Sequence, residues 1–289
     1  MTNKYTEAFE SFAPALSGQE LELAIKKILD AGFEKNNTLE VKKRIHGCID
    51  LTTLMGADTE TKVAALADAV NGYDGIDETL PNVAAICVYP NFVSTVRETL
   101  TDPQVRVACV SGAFPASQSF IEVKIAETAL AVAAGADEVD IVLNLGKFLE
   151  GEYEEASEEI AEQKDACRSA HLKVILETGA LKTPEEIQKA AILALYSGAD
   201  FIKTSTGKEY PGASLEAAYT MCQVLKQYNA KHGKKCGIKL SGGIRTAEDA
   251  IKYYTIVEAI LGEEWLTPEL FRIGASSLVG ALQEEILGK

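Results

Sequence analysis

Long apolar runs are missing from this chain of 289 residues; no stretch approaches the roughly 20 needed to cross a bilayer. Met1 to Glu20 also lacks the basic start and apolar centre of a signal peptide, so a soluble, unexported, cytoplasmic protein is expected. Positive charge is scarce as well. With 28 basic against 43 acidic residues the formal charge is -15, and no run of Lys or Arg offsets it. Such a surface repels nucleic acid and anionic membranes, and neither is expected as a partner. Histidine is rare, and His46, His171 and His232 stand apart from one another. The six cysteines, Cys48, Cys87, Cys109, Cys167, Cys222 and Cys236, form no CxxC pair. A metal centre, a disulfide framework and a histidine-based triad are therefore not expected, and free thiols in a reducing compartment are.

What is present is alternation. From His46 onward, short apolar runs exchange with longer stretches of helical period, the pattern of repeated βα units around a parallel sheet. Candidate strands run from Cys48 to Thr53, Val83 to Tyr89, Val105 to Val110, Glu138 to Leu143, Leu172 to Leu176, Asp200 to Thr204, Gly237 to Leu240 and Leu270 to Ile273. That number suits a closed (β/α)8 TIM barrel, whose active site lies at the C-terminal ends of its strands. Helices are expected over Ser119 to Ala134, Glu155 to Ala170, Thr183 to Tyr196, Ser214 to His232 and Leu278 to Leu287. Thr183-Pro184-Glu185-Glu186 carries a start signal, with threonine as N-cap, proline in the first turn and acids behind it. Ala134-Gly135-Ala136-Asp137 recurs as Ser197-Gly198-Ala199-Asp200, each glycine placed to end a helix before a strand. Residues 46–289 are read as the barrel and residues 1–45 as an N-terminal helical extension. Its helix over Gln19 to Ala31 either closes the barrel bottom or sits at a subunit interface, and a homodimer is expected on the barrel's frequent use of two-fold pairing.

Two lysines carry the chemistry. Lys203 lies in Phe201-Ile202-Lys203-Thr204-Ser205-Thr206-Gly207 and Lys239 in Gly237-Ile238-Lys239-Leu240-Ser241-Gly242-Gly243. A lysine inside an apolar strand is costly unless its charge is paired or relieved. Adjacent parallel strands are about 4.8 Å apart, so two inward lysines on the sixth and seventh strands are close enough to lower one another's pKa. Schiff-base chemistry needs such an unprotonated amine, although spacing does not say which lysine attacks. Asp50 and Asp140 interrupt apolar runs near the same rim, where each either relays protons or forms a structural ion pair with a central lysine. Small residues after the last strands, Ser241-Gly242-Gly243 and Gly274-Ala275-Ser276-Ser277, suit a phosphate, with Lys208 just past Gly207 as an added positive charge. Cys87, near the end of the second strand, is read as lining the pocket, not as a nucleophile.

These motifs, with Asp50-Leu51-Thr52-Thr53-Leu54, Ala85-Ile86-Cys87-Val88-Tyr89-Pro90, Gly135-Ala136-Asp137-Glu138-Val139-Asp140 and Phe271-Arg272-Ile273-Gly274-Ala275-Ser276-Ser277, stand in an order that resembles the deoxyribose-phosphate aldolase family. Members are class I Schiff-base aldolases, lyases on a (β/α)8 barrel, and the resemblance covers His46 to the end. It implies Lys203 as the Schiff-base lysine and Lys239 as the second, pKa-lowering lysine. It gives Asp140 a part in proton transfer and Asp50 a supporting one. It also implies a phosphate pocket of Gly207, Lys208, Gly242, Gly243, Gly274, Ser276 and Ser277, with Thr206 and Cys87 in the substrate pocket. The implied reaction is reversible cleavage of 2-deoxy-D-ribose 5-phosphate to D-glyceraldehyde 3-phosphate and acetaldehyde, with neither metal nor organic cofactor. The partners implied are thus a phosphorylated sugar and an aldehyde.

Three features depart from the family pattern. Some members end in a tail with a terminal tyrosine where this sequence reads Ile286-Leu287-Gly288-Lys289. Gly112-Ala113-Phe114-Pro115-Ala116 lacks an expected glycine after the proline, and the extension is longer than in the shortest members. Three other readings stay open at this stage: a Schiff-base barrel aldolase acting on a different phosphorylated or hydroxylated carbonyl, a phosphosugar-binding barrel without turnover, and, more weakly, a barrel isomerase, which would usually rely on carboxylate or histidine bases and not on a lysine pair.

Overall fold

Eight short runs of apolar and β-branched residues pair side by side and close on themselves in a computed structural model that describes residues 4–77 and 79–288. The strands are β1 (Ile49–Thr52), β2 (Ala85–Val88), β3 (Arg106–Val110), β4 (Glu138–Val142), β5 (His171–Ile175), β6 (Phe201–Lys203), β7 (Gly237–Ser241) and β8 (Phe271–Ala275). Every pairing is parallel and β8 returns to β1, so no edge is left unpaired. All eight strands fall where the apolar runs predict them.

The connections are helical. Before the barrel come α1 (Lys4–Glu10), α2 (Gly18–Asn36) and α3 (Leu39–His46). Between strands run α4 (Glu60–Asn71), α5 (Val93–Thr99), α6 (Ile121–Ala133), α7 (Leu145–Leu149), α8 (Tyr153–Cys167), α9 (Pro184–Tyr196), α10 (Leu215–His232) and α11 (Ala247–Leu261), and α12 (Leu278–Leu287) follows β8. Their starts follow from local chemistry. The hydroxyls of Thr183, Ser214 and Thr246 each accept a backbone N–H from the first turn of α9, α10 and α11, filling a donor that a helix start leaves open. Gly135 and Gly198 hold φ of +107° and +100° just after α6 and α9, a turn into the next strand that a side chain would resist.

Residues alternate between two environments along each strand. Ile86, Val88, Val107, Val139, Ile141, Leu172, Val174, Ile202, Ile238, Leu240 and Ile273 face the helices and make the main core. The inward set differs by sector. On the β2 and β3 side it is small and apolar, Ala85, Cys87, Ala108 and Val110 packing with Leu54. On the remaining strands it is charged: Asp50, Glu138, Asp140, Lys173, Lys203, Lys239 and Arg272 are all buried.

The extension wraps the outside of the ring. α2 packs on α10 and α11, α3 on α11 and α12, and α1 on α9. Asn36 at the end of α2 donates to Thr255 Oγ1 at 3.2 Å and Glu258 Oε2 at 2.7 Å on α11, and Tyr5 on α1 is hydrogen-bonded to Ser157 on α8. α3 delivers the chain to the barrel floor, where His46 Nδ1 meets Pro81 O at 2.8 Å. The helix predicted over Gln19 to Ala31 is longer at both ends. Residues 1–3 and Lys289, at the outer limits of the expected extension and barrel, lie outside the described residues. No described helix is long and apolar enough to cross a membrane.

Candidate active site

The register sets the site. β6 and β7 pair so that Lys203 lies opposite Lys239, while Asp140 on β4 lies opposite Lys173 on β5 and Lys239 opposite Arg272 on β8. Because side chains alternate, these residues all point into the barrel, and their charged ends meet. Asp140 is the hub. Its Oδ2 accepts from Lys203 Nζ at 2.8 Å and from Lys239 Nζ at 2.7 Å, and its Oδ1 accepts from Lys173 Nζ at 3.0 Å. Lys239 Nζ also lies 2.5 Å from Asp50 Oδ2. Below these, Arg272 donates to Asp50 Oδ1 at 2.6 Å and to both oxygens of Glu138 at 3.0 and 2.7 Å, and Glu138 holds Lys173 at 2.5 Å. Lys173 and Arg272 both lie over the ring of Phe201. That ring fits because Gly237 faces it: a Cβ there would sit 2.1 Å from Phe201 Cε1.

Three buried carboxylates thus meet four buried bases, which leaves one positive charge in excess if every group is ionised. An uncompensated charge in such a place is expensive, and the least costly response is for one base to release its proton. Lys203 is the base placed to do so. Burial lowers its pKa and the neighbouring Lys239 lowers it further, against the pull of Asp140. Burial works against charge at Lys239 too, yet Asp140 and Asp50 outweigh it and hold this ammonium well above its ordinary value. Lys173 is likewise held up by Asp140, Glu138 and Asp50 in spite of burial. Burial opposes the charge on Asp140 as well, but Lys173, Lys203 and Lys239 overcome it and keep the carboxyl well below the usual range. The cluster therefore sets Lys203, whose proton is loosened, apart from Lys239 and Lys173, whose protons are held more tightly.

Lys203 is also the amine that reaches the open. It lines a cleft of about 240 Å³ at the C-terminal ends of β1, β6, β7 and β8, with Thr52, Leu54, Met55, Thr206, Gly207, Lys208, Ser241, Gly242, Gly243, Ile244, Arg245, Gly274, Ala275, Ser276 and Ser277. The glycines make this wall thin. A Cβ on Gly242 would lie 2.7 Å from Gly212 Cα, and the residue holds φ of +88°. A Cβ on Gly274 would lie 3.0 Å from Lys239 Cε. Ser277 ends the loop after β8 and opens α12, which turns that helix start toward the cleft. The Lys208 ammonium donates to Leu54 O and ties the β6 loop to the β1 loop, while its stem lines the cleft.

The structure thus gathers Lys203, Lys239, Asp140 and Asp50 in one cluster and sets Thr206 and the seven phosphate-pocket residues of the sequence reading around one cleft. Cys87, expected along the pocket wall, is instead fully buried in the barrel interior among Ala85, Ala108, Val110 and Leu54, where burial pushes its thiol up. Sequence reasoning missed Lys173, Glu138 and Arg272 as members of the charge cluster. Their signal was present: Lys173 and Arg272 are charged residues flanked by apolar ones within a strand, and Glu138 opens the apolar run that holds Asp140.

Comparison with known proteins gives the family. A family profile described as DeoC/LacD family aldolase matches residues 45–281. The human and mouse proteins named deoxyribose-phosphate aldolase are each 40% identical to this chain over 249 residues, covering 82% of it and 78% of each relative. Among solved structures, the tetrameric deoxyribose phosphate aldolase of Aeropyrum pernix superposes with a TM-score of 0.65 at 26% identity, covering 93% of this chain and 98% of that one.

Proposed function

The chain belongs to the DeoC/LacD aldolase family, and from that premise we propose that it is a deoxyribose-phosphate aldolase working through a Schiff base on Lys203. The observation that carries the choice of amine is the charge imbalance: of the four bases in the cluster, Lys203 both faces the cleft and has its pKa lowered.

In the cleavage direction the Lys203 amine attacks the aldehyde carbon of open-chain 2-deoxyribose 5-phosphate, and the carbinolamine loses water to give a protonated imine. This imine is the electron sink. A base removes the proton of the C3 hydroxyl, the C2–C3 bond breaks, and its electron pair forms the enamine as glyceraldehyde 3-phosphate leaves. The enamine carbon then takes a proton, and water hydrolyses the new imine to acetaldehyde and free Lys203. Asp140, in contact with both lysines, moves protons between them and a water in the cleft. Lys239 stays charged and keeps Lys203 neutral between turnovers, while Asp50 anchors Lys239 and Arg272. The glycine- and serine-rich wall holds the phosphate on backbone N–H groups.

Reduction with borohydride in the presence of acetaldehyde, followed by peptide mass spectrometry, tests this reading. A reduced adduct on Lys203, together with cleavage of deoxyribose 5-phosphate, is expected; an adduct on Lys239 reverses the roles, and no adduct on either removes Schiff-base catalysis. The six buried, unpaired thiols support a reducing, cytoplasmic setting for this reaction. A homodimer completes the reading. Phe120, Val123 and Leu130 stand 78%, 53% and 71% exposed on and beside α6, an apolar patch that favours pairing of copies, and sedimentation velocity measures it.

A further inference from the structure

Glu177 is a buried carboxylate, 2% exposed, that the proposed reaction does not use. It follows β5 in a left-handed backbone conformation, φ +53°, which is unfavourable for a residue with a side chain. Pairing with the next strand continues on either side of it, Leu176 N donating to Lys203 O at 2.8 Å and Thr178 N to Thr204 O at 2.9 Å. The unusual turn is thus held in place by its neighbours. Its carboxylate hydrogen-bonds to Thr206 through both oxygens: Oε1 accepts the Thr206 N–H at 3.2 Å and Oε2 accepts the Thr206 hydroxyl at 2.5 Å. The Thr206 Oγ1 in turn accepts the Lys208 N–H at 3.2 Å. Two residues further on, Gly179 approaches the same loop so closely that a Cβ would lie 2.3 Å from Pro211 O, and Gly212 meets Gly242 in the same way.

A carboxylate beside an anion site repels the anion unless its charge is diminished or otherwise engaged. Burial pushes the Glu177 carboxyl up, against the hydrogen bonds from Thr206 and the attraction of Lys203, and both of its oxygens are engaged by Thr206. Its value to the protein therefore lies in what it holds.

We infer that Glu177 is a positioning residue for phosphate recognition: through Thr206 it fixes the Gly207-Lys208 turn, and with it the facing Gly242 loop, so that the cleft selects phosphorylated over unphosphorylated substrates. This rests on the aldolase reading above for the identity of the substrate, but not for the anion site itself.

The test compares wild type, Glu177→Gln and Glu177→Ala on deoxyribose 5-phosphate and on 2-deoxyribose, with inorganic phosphate titrated calorimetrically into each. Glu177→Ala is expected to raise KM for the phosphorylated sugar and Kd for phosphate about tenfold, with kcat and the kinetics on 2-deoxyribose within about threefold. Glu177→Gln keeps one acceptor and recovers part of the loss. Equal losses on both sugars, a fall in kcat with phosphate binding unchanged, or no change overturns the assignment. So does a wild type that fails to bind phosphate. If wild type binds phosphate but cleaves neither sugar, the aldolase reading fails, and the phosphate titrations still decide the role of Glu177. Should Glu177→Ala fail to fold, a cycle of Glu177→Gln with Thr206→Val decides: non-additive losses in phosphate affinity are expected, and additive ones overturn the assignment.

Discussion

The two ends of the barrel differ in a way that runs against size. The floor, at the N-terminal ends of the strands, holds a cavity of about 710 Å³ lined by Arg44, Arg97, Arg106, Asp102, Asp137 and Glu269 among others, whereas the cleft at the mouth measures about 240 Å³. Yet two of the floor's arginines hold partners close to solvent. Arg97 pairs with Asp137 at 2.6 Å and Arg44 with Glu263 at 3.0 Å, both at the surface. The mouth instead sits above a dry cluster with one base too many, and one of those bases opens into it. Reactivity follows from unbalanced charge out of contact with water, and cavity volume is a poor guide to it.

Breaking the mouth should have the largest effect. Lys203→Met is expected to lower activity by at least about a thousandfold and abolish the borohydride-trapped adduct, because it removes the amine that forms the imine. It also removes a polar amine that is costly to bury, so thermal unfolding should show a melting temperature equal to or above that of wild type. Lys239→Met sharpens the contrast between the lysines. It strips Asp50 and Asp140 of a shared partner, and a loss of about 3 kcal/mol is expected in urea titrations, with activity down about a hundredfold. Its effect on pH dependence has a definite sign. Activity falls with pH as Lys203 gains its proton; the Lys239 charge holds that pKa down, so without it the acid limb of the rate profile moves to higher pH.

A smaller break lies in the wall. Gly242→Ala forces a side chain onto a φ of +88° and against Gly212, and is expected to cost about 2 kcal/mol while weakening phosphate inhibition about tenfold. The smallest effect belongs to the floor. Arg97→Ala removes a half-exposed pair, and stability should change by less than about 1 kcal/mol with turnover within about twofold. A large loss of activity from Arg97→Ala would erase the distinction between the two ends.

Much of this was legible in the residues. The strands could be read because each apolar run is short and bounded by glycine or polar residues, and parallel pairing then placed Lys203 beside Lys239. Asp140 was legible for the same reason: an acid among valines must have a partner. Lys173 and Arg272 obey that rule equally, but both lie toward the start of their apolar runs and Glu138 follows an aspartate at the start of its own, where a charge reads as solvated until the register turns it inward. Glu177 was hidden more deeply, since its place depends on a backbone angle and on a partner on the following loop. The course of the extension was also illegible. The pattern of α2 shows an apolar face but not which helices it covers, and Asn36, which fixes it to α11, looks like an ordinary helix end.

All six cysteines are buried and unpaired, and they lie on different parts of the ring: Cys48 before β1, Cys87 in β2, Cys109 in β3, Cys167 in α8, Cys222 in α10 and Cys236 before β7. Burial raises every one of these thiols, Cys48 and Cys167 to about 12 and Cys236 to about 11. A thiol reagent therefore finds neither access nor thiolate on the folded chain and reacts only where the barrel has opened. The protein carries its own spaced set of opening reporters, and the order in which the six are labelled records which part of the ring comes apart first.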